Sequence, residues 1–375
     1  MRTARMYPLL LLVLPLAGWF LLRSVFGQHV ARELPVVVMD ADGSVLSRRV
    51  ARAVDATPTV RIVERRAELS DVEGVLRRGE AYAVVVLPAG LERQTARGEG
   101  TPVSLFTNGQ WMVASNLVIR DVRSAVATLS AEQDVARRVA RGEGVSRARI
   151  AAEPIRVDLH PLFNPALDYA AFLFIALVPT LLHVFVLVMS VNAVGSELKQ
   201  GTAAEWLDAA GGSAMTAVLG KLMPYAVWYT VLGIALLEVS LRSLDLSVAG
   251  SRTVLYVAVT LLVIAYQAVA LLLVAVTANL RAATSVAGFV AAPAFAVAGV
   301  SFPRFAMPLA GRAWSAALPL SHYIEIQTQQ VTVGAALRES AWPLAVLLLV
   351  ATLLPAIALG RLSRIARDPA FWGRS

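Results

Sequence analysis

Between two long apolar stretches the chain carries Gly195-Ser196-Glu197-Leu198-Lys199-Gln200-Gly201-Thr202-Ala203-Ala204-Glu205-Trp206-Leu207, followed shortly by Gly220-Lys221-Leu222-Met223-Pro224-Tyr225. Glu205, Trp206, Leu207 and Ala210 predict a short helix with one polar and one apolar face. Such a helix either docks into a partner or lies along a membrane surface as a simple connector. Gly220-Lys221 is the nearest approach to a phosphate-binding loop, but Met215 stands where the first glycine is needed and Leu222 replaces the Ser or Thr. Without a cradle of backbone N–H groups and a hydroxyl for Mg²⁺, this chain cannot hold ATP in that way. No cofactor is expected to bind it directly, and any ATP and Mg must come with a separate subunit.

Other reactive side chains are scattered. His29, His160, His183 and His322 form no paired metal motif. His183 falls inside a predicted span, where an ionisable group is a functional candidate, although a neutral ring bonded to a neighbouring helix is the plainer expectation. Asp40-x-Asp42-Gly43 resembles part of a calcium loop but lacks the third acid and the distal glutamate, so it reads as a turn. Glu238 sits at a membrane edge, where an interfacial carboxylate suffices. No Ser/His/Asp constellation emerges, and the absence of cysteine excludes disulfides, thiolate metal sites and cysteine nucleophiles.

A second cluster reads Ser301-Phe302-Pro303-Arg304-Phe305-Ala306-Met307-Pro308, then Trp314 and Leu318-Pro319-Leu320-Ser321-His322-Tyr323. Prolines at this density stop a straight spanning helix, and the aromatics suit a membrane interface. A short re-entrant or surface-lying helix is expected here, with Phe302, Pro303, Met307, Pro308, Pro319 and Tyr323 at the exit of a pathway. Backbone of this kind survives at membrane depth only under cover of protein or water.

The elements that must position these residues follow from where charge is missing. The 375 residues are 57 % hydrophobic and only 16 % charged, against about a quarter charged in soluble domains. Charges crowd between Arg32 and Asp168 and again after Gly360, which joins a water-soluble domain to a membrane domain. The runs Pro8–Leu22, Tyr169–Val191, Leu222–Leu237, Val254–Leu280, Ala282–Pro303 and Ala341–Gly360 are free of charged residues. About 20 apolar residues cross a bilayer core as a helix. The fold expected is therefore a polytopic α-helical membrane protein with six transmembrane helices and an α/β extracytoplasmic domain inserted after the first. Residues 1–26 hold the cytoplasmic N-terminus and first helix, 27–168 the soluble domain, and 169–363 five further helices near 169–191, 219–239, 254–278, 282–302 and 341–361. A cytoplasmic loop covers 192–218 and a cytoplasmic tail 364–375.

Arg2, Arg5, Lys199, Lys221, Arg281, Arg361, Arg364 and Arg367 flank these runs and set both termini in the cytoplasm. That distribution accounts for the net charge of +8 and argues against a nucleic-acid partner. Within the soluble segment, Pro35–Met39, Val60–Val63, Ala81–Leu87, Val103–Phe106 and Val157–Leu159 are strand candidates. Ser44 caps a helix from Val45 to about Val54, Ser70-Asp71-Val72-Glu73 is a capping box, and a long helix runs from about Val113 to Ala140. Arg141–Glu153 reads as a linker. Strands alternating with helices favour a partly parallel sheet.

Taken in order, these residues resemble the permease subunit of type-2 ATP-binding cassette (ABC) exporters, in the branch with a large domain between the first two spans, which is similar to drug-efflux permeases and the phage-infection-protein group. The resemblance covers essentially the whole chain: residues 34–50, residues 77–99, His160–Tyr169, Glu197-x-x-x-Gly201-Thr202 with Glu205, Leu207 and Gly220-Lys221 after it, and the FP…MP and LPLSHY elements. It implies a permease that pairs with a second, identical or different, and couples through Glu197, Gly201, Thr202, Glu205, Leu207 and Lys221 to an ATPase subunit holding ATP and Mg. It also implies a lipid bilayer as surroundings (the bacterial inner membrane), a periplasmic adaptor as a further partner, and no enzymatic activity of the chain itself. The rival classes are a membrane-anchored envelope binding or assembly module without transport, and a proton-driven carrier, which would show charges deep within its spans.

Overall fold

After Pro8 the first apolar stretch winds as one π-helical turn, Leu9–Val13, and continues as α1, Leu14–Phe26. The structure is a computed structural model that describes residues 8–26, 32–67, 72–109, 111–152, 162–164, 168 and 170–373. The chain divides into two units, residues 30–160 and residues 1–29 with 161–375. His29, His160, the Val157–Leu159 strand and the first half of the Ser70-Asp71 capping box lie outside the described residues.

Residues 30–160 build an α/β layer. In chain order it holds β1 (Leu34–Asp40), α2 (Val45–Asp55), β2 (Val60–Arg66), α3 (Val72–Arg77), β3 (Ala83–Leu87), α4 (Leu91–Arg97), β4 (Ser104–Thr107), α5 (Met112–Ala140) and α6 (Val145–Ala152). The sheet order is β2-β1-β3-β4, parallel in the first two pairings and antiparallel in the last. The central strands are nearly continuous apolar runs because both faces are covered. Val36, Val38, Ala83 and Val85 pack with Val50, Val54, Val118 and Val122 of α2 and α5, while Val37, Met39, Val84 and Val86 pack with Val75 of α3. Ser44 caps α2, accepting the Ser47 N–H at 3.0 Å. Two sequence expectations change. The linker at 141–153 contains α6, and a further helix, α4, lies between Gly90 and Gly98.

The other unit resumes with a π-helical turn, Ala170–Phe174, and α7 (Ile175–Gln200), then α8 (Ala203–Ala209), α9 (Ala214–Ser243), α10 (Arg252–Thr277), α11 (Leu280–Ala291) and α12 (Ala294–Val297). It ends with α13 (Leu309–Ala317), α14 (Pro319–Thr328), a π-helical turn Gln329–Val333 and α15 (Leu337–Arg367). Among the described residues, five helices are long and apolar enough to cross a membrane: Ala170–Gln200, Ala214–Ser243, Arg252–Thr277, Leu280–Val297 and Leu337–Arg367. The first apolar helix, Leu10–Phe26, is shorter.

The helices overrun the sequence estimate. α7 continues to Gln200 rather than ending at 191 and α9 opens at Ala214, so the expected 192–218 loop shrinks to Gly201–Ser213 around α8. The expected 282–302 span is interrupted at Ala292–Pro293 and ends at Val297, because proline offers no N–H and clashes with the preceding turn. The 303–340 stretch does not lie wholly outside the bundle. α14 buries Leu320, Tyr323, Ile324 and Ile326 in the same apolar core as α7, α10 and α15. α10 is central, packing on α7, α9, α11, α14 and α15. At Gly233 a Cβ would stand 2.7 Å from Leu182 Cδ2 and 2.9 Å from Val259 Cγ1, so only glycine lets α7, α9 and α10 approach this closely.

Prolines inside these helices leave specific carbonyls without their N–H partner four residues on. Pro15 frees Leu11 O, which accepts from Trp228 Nε1 at 2.9 Å. Pro179 frees Ile175 O, which accepts from Gln327 Nε2 at 2.9 Å. Pro343 frees Glu339 O, which accepts from Gln329 Nε2 at 3.4 Å. In each case another helix or helical turn supplies the donor, and at Leu11 and Ile175, within apolar runs, water cannot supply it.

Candidate functional site

The loop after α7 is set by its first residue. Gly201 takes φ +74°, a left-handed cap that costs glycine little, and Thr202 N–H returns to Glu197 O at 3.0 Å. The cap turns the chain back so that Glu197 faces Thr202 and Lys221. Its Oε2 accepts from Thr202 Oγ1, and its Oε1 accepts from Lys221 Nζ. The glutamate and lysine side chains are only 16 % and 21 % exposed. Lys221 also lies 5.3 Å from the centre of the Trp206 ring, a cation–π contact that ties α9 to α8.

The resemblance implied that Glu197, Gly201, Thr202, Glu205, Leu207 and Lys221 share one role. The geometry sorts them into two groups. Glu197, Thr202 and Lys221 satisfy one another inside the loop, and Leu207, 1 % exposed, anchors α8 on its own bundle together with Ala203. Glu205 remains on the exposed face, beside Asp208 and Ala209. Gly220 and Lys221 lie within the helix α9, so no phosphate cradle forms around them.

The chain's last described turn completes this region. Pro369–Phe371 is a single 3₁₀ turn capped by Asp368, whose Oδ1 accepts from Ala370 N at 2.9 Å. Gly373 N–H donates to Leu198 O at 3.0 Å, and Trp372 lies against Gly201. Arg361 Nε and Nη2 donate to Ala275 O at 2.6 Å and Val276 O at 3.3 Å, closing the C-terminus of α10. None of this was visible in the sequence, where 364–375 read only as a basic tail.

The second cluster is also divided. Phe302, Pro303 and Pro308 are exposed, whereas Met307, Pro319 and Tyr323 are buried, with Pro319 opening α14. Arg304 Nη1 pairs with Glu325 at 2.8 Å and His322 Nε2 bonds Ala316 O at 2.9 Å, which holds the turns together. His183 is fully buried with its ring centre 4.7 Å from that of Tyr266, and neither nitrogen has a hydrogen-bond partner. Glu238 accepts from Tyr256 Oη at 2.8 Å and pairs with Arg252 at 3.4 Å. Asp40 Oδ1 accepts from Asp42 N at 3.2 Å and Gly43 N at 2.9 Å, so the suspected calcium motif is a turn. No cluster of three or more metal-ligating side chains occurs among the described residues.

An apolar bundle, a short surface helix closed onto it, and a proline-rich double helix before the last span now stand in one order along the chain. The profile of the family described as ABC-2 family transporter protein matches residues 6–359. The chain belongs to that family. It is a multi-pass transmembrane component, an ABC-2 type permease, and the family implies an ABC ATPase as a partner in general. No protein matches in the search of curated sequences.

Proposed function

We propose that the permease exports a substrate across the bacterial inner membrane, with ATP hydrolysed by a separate subunit seated on α8. The observation that carries this reading is the split of α8: Ala203 and Leu207 turn inward while Glu205 and Asp208 face out. In this reading Glu197, Thr202 and Lys221 do not touch the ATPase. They stiffen the loop so that a push on α8 reaches α7 and α9 as a rigid-body tilt. ATP and Mg belong to the ATPase subunit.

Leu10–Phe26 would be the first of six crossings. At 1.5 Å per residue it spans about 25 Å, and the arginines at positions 2 and 5 keep its start in the cytoplasm. Lys199, Lys221, Arg281, Arg361 and Arg364 then mark the cytoplasmic ends of the other helices, and the α/β unit falls outside the cytoplasm. A second permease and a periplasmic adaptor complete the proposed assembly.

The test is purification of the tagged full-length chain from its own membranes, with ATP hydrolysis measured in the eluate. Charge reversal at Glu205 and Asp208 should lower the retained ATPase about tenfold, as loss of roughly 1.4 kcal/mol of docking energy predicts, with membrane insertion unchanged. If no ATP-hydrolysing subunit accompanies the wild-type chain, a membrane-anchored assembly module becomes the better account. If the reversed variant retains it fully, α8 is not the docking element.

A further inference from the structure

At the end of the bundle remote from α8, the start of α7, the end of α9, the turn after α12 and the helix α14 enclose a cavity of about 660 Å³. That volume lies within the range of ~300–1,000 Å³ found for sites that take drug-sized ligands. Its walls are apolar, with Phe172, Ile175, Leu246, Val300 and Ile324 prominent. Its polar lining is one-sided. Asp168 and Asp245 both line it, and no lysine, arginine or histidine does so among the described residues. Two arginines of the unit are engaged elsewhere, Arg304 with Glu325 and Arg23 with Ser243 O.

One feature independent of the two carboxylates shows that this is more than an acidic dent. Gln327 lines the cavity, is 2 % exposed, and uses its Nε2 on Ile175 O, which leaves Oε1 buried without a partner. A buried amide oxygen without a donor is costly and calls for a ligand or water that donates to it. Asp245, in turn, has a left-handed backbone (φ +52°) just past the C-terminus of α9. Glycine or asparagine is the ordinary residue there, and an anion is disfavoured at the negative end of a helix. Asp168 already caps the helical turn that follows it, accepting from Ala170 N at 2.8 Å and Ala171 N at 3.1 Å, so its charge is fixed in place. The cavity is also flanked by two π-helical turns, Ala170–Phe174 and Gln329–Val333, of a kind often found at functional sites.

We propose that this cavity binds a lipophilic organic cation, with its apolar body against Phe172, Ile175 and Ile324, its charge toward Asp245 and a hydrogen bond to Gln327 Oε1 where it has a donor. Its place as a stage of an export route rests on the permease reading above; the binding does not.

The probe is tetraphenylphosphonium, compared with tetraphenylborate, which carries the same four phenyl arms and the opposite charge. Binding is measured by equilibrium dialysis on the full-length chain in detergent, without an ATPase. Saturable uptake of the phosphonium is expected, weakened about tenfold in Asp245→Asn, with borate uptake equal in both proteins. Asparagine fits the left-handed position as well as aspartate, so the variant should melt at or above the wild-type temperature while losing the ligand. A merely structural role for Asp245 would not give that split. Asp245→Glu should restore the cation. Phosphonium uptake that does not saturate, that borate matches, or that Asp245→Asn leaves unchanged would overturn the site. Intact cation binding in a chain that retains no ATPase would sink the transport reading and leave the site standing.

Discussion

Glu197 shows how one carboxylate can organise a loop. Both its oxygens are occupied, by Thr202 and Lys221, in a place where water reaches neither side chain freely. Glu197→Gln keeps the shape and removes the charge, leaving the lysine half-buried without its counter-ion. A thermal melt of the detergent-solubilised chain should fall by an amount equivalent to about 1–3 kcal/mol. In the α/β unit, Asp42 accepts from Gly90 N at 2.7 Å and Glu92 N at 3.2 Å. Burial works to raise its pKa, but the bonds from Ser44 and from the N–H groups of Glu92, Gly90 and Leu91 outweigh it, so the carboxyl titrates below the ordinary aspartate range. The sign follows: the contribution is complete above the unfolded value near ~3.9 and disappears as pH falls through the lower folded value. Asp42→Asn should therefore cost about 1 kcal/mol at neutral pH and flatten the acid limb of the unit's unfolding curve, followed by proteolysis between the two pH extremes.

At the scale of elements, the proline-freed carbonyls make the bundle specific. Trp228→Phe keeps the ring and deletes the donor to Leu11 O; destabilisation of about 1–2 kcal/mol is expected, with the N-terminal helix becoming accessible to alkylation at an introduced cysteine. Gly201→Ala should cost a similar ~1–2 kcal/mol, because a Cβ in the left-handed region is strained. Much of this layer was legible. The apolar runs gave β1 and β3 because parallel central strands are buried on both faces, and the serine cap of α2 was readable from one residue. The burial of α14 is not legible from composition: Ser321, His322 and Gln327 find their partners Ser315, Ala316 and Ile175 within the unit. α4 was missed because five of its seven residues are polar or charged and its limits are two glycines. The docking of Trp372 and Gly373 beside Gly201 joins positions too distant in sequence for any local pattern to report. The candidate loop residues were found by motif, but motif alone could not tell the inward-facing Glu197 from the outward-facing Glu205.

For the whole molecule, the decisive measurement is which side of the membrane holds the α/β unit. Protease added to sealed, right-side-out spheroplasts should cut between Arg32 and Ala152 and spare α8. Cleavage there only from the cytoplasmic side would reverse the topology and remove the export reading. The three borrowed donors described for Leu11, Ile175 and Glu339 also bear on how such a chain is made. Each polar gap in an early helix is filled by a residue synthesised later: Trp228 for the first, Gln327 for the helix that begins at Ile175. Until those residues emerge, a bare carbonyl faces lipid at a cost of several kcal/mol. The early helices are therefore fully satisfied only once the C-terminal half has arrived, and a chain cut short before residue 327 leaves the Ile175 carbonyl without its donor.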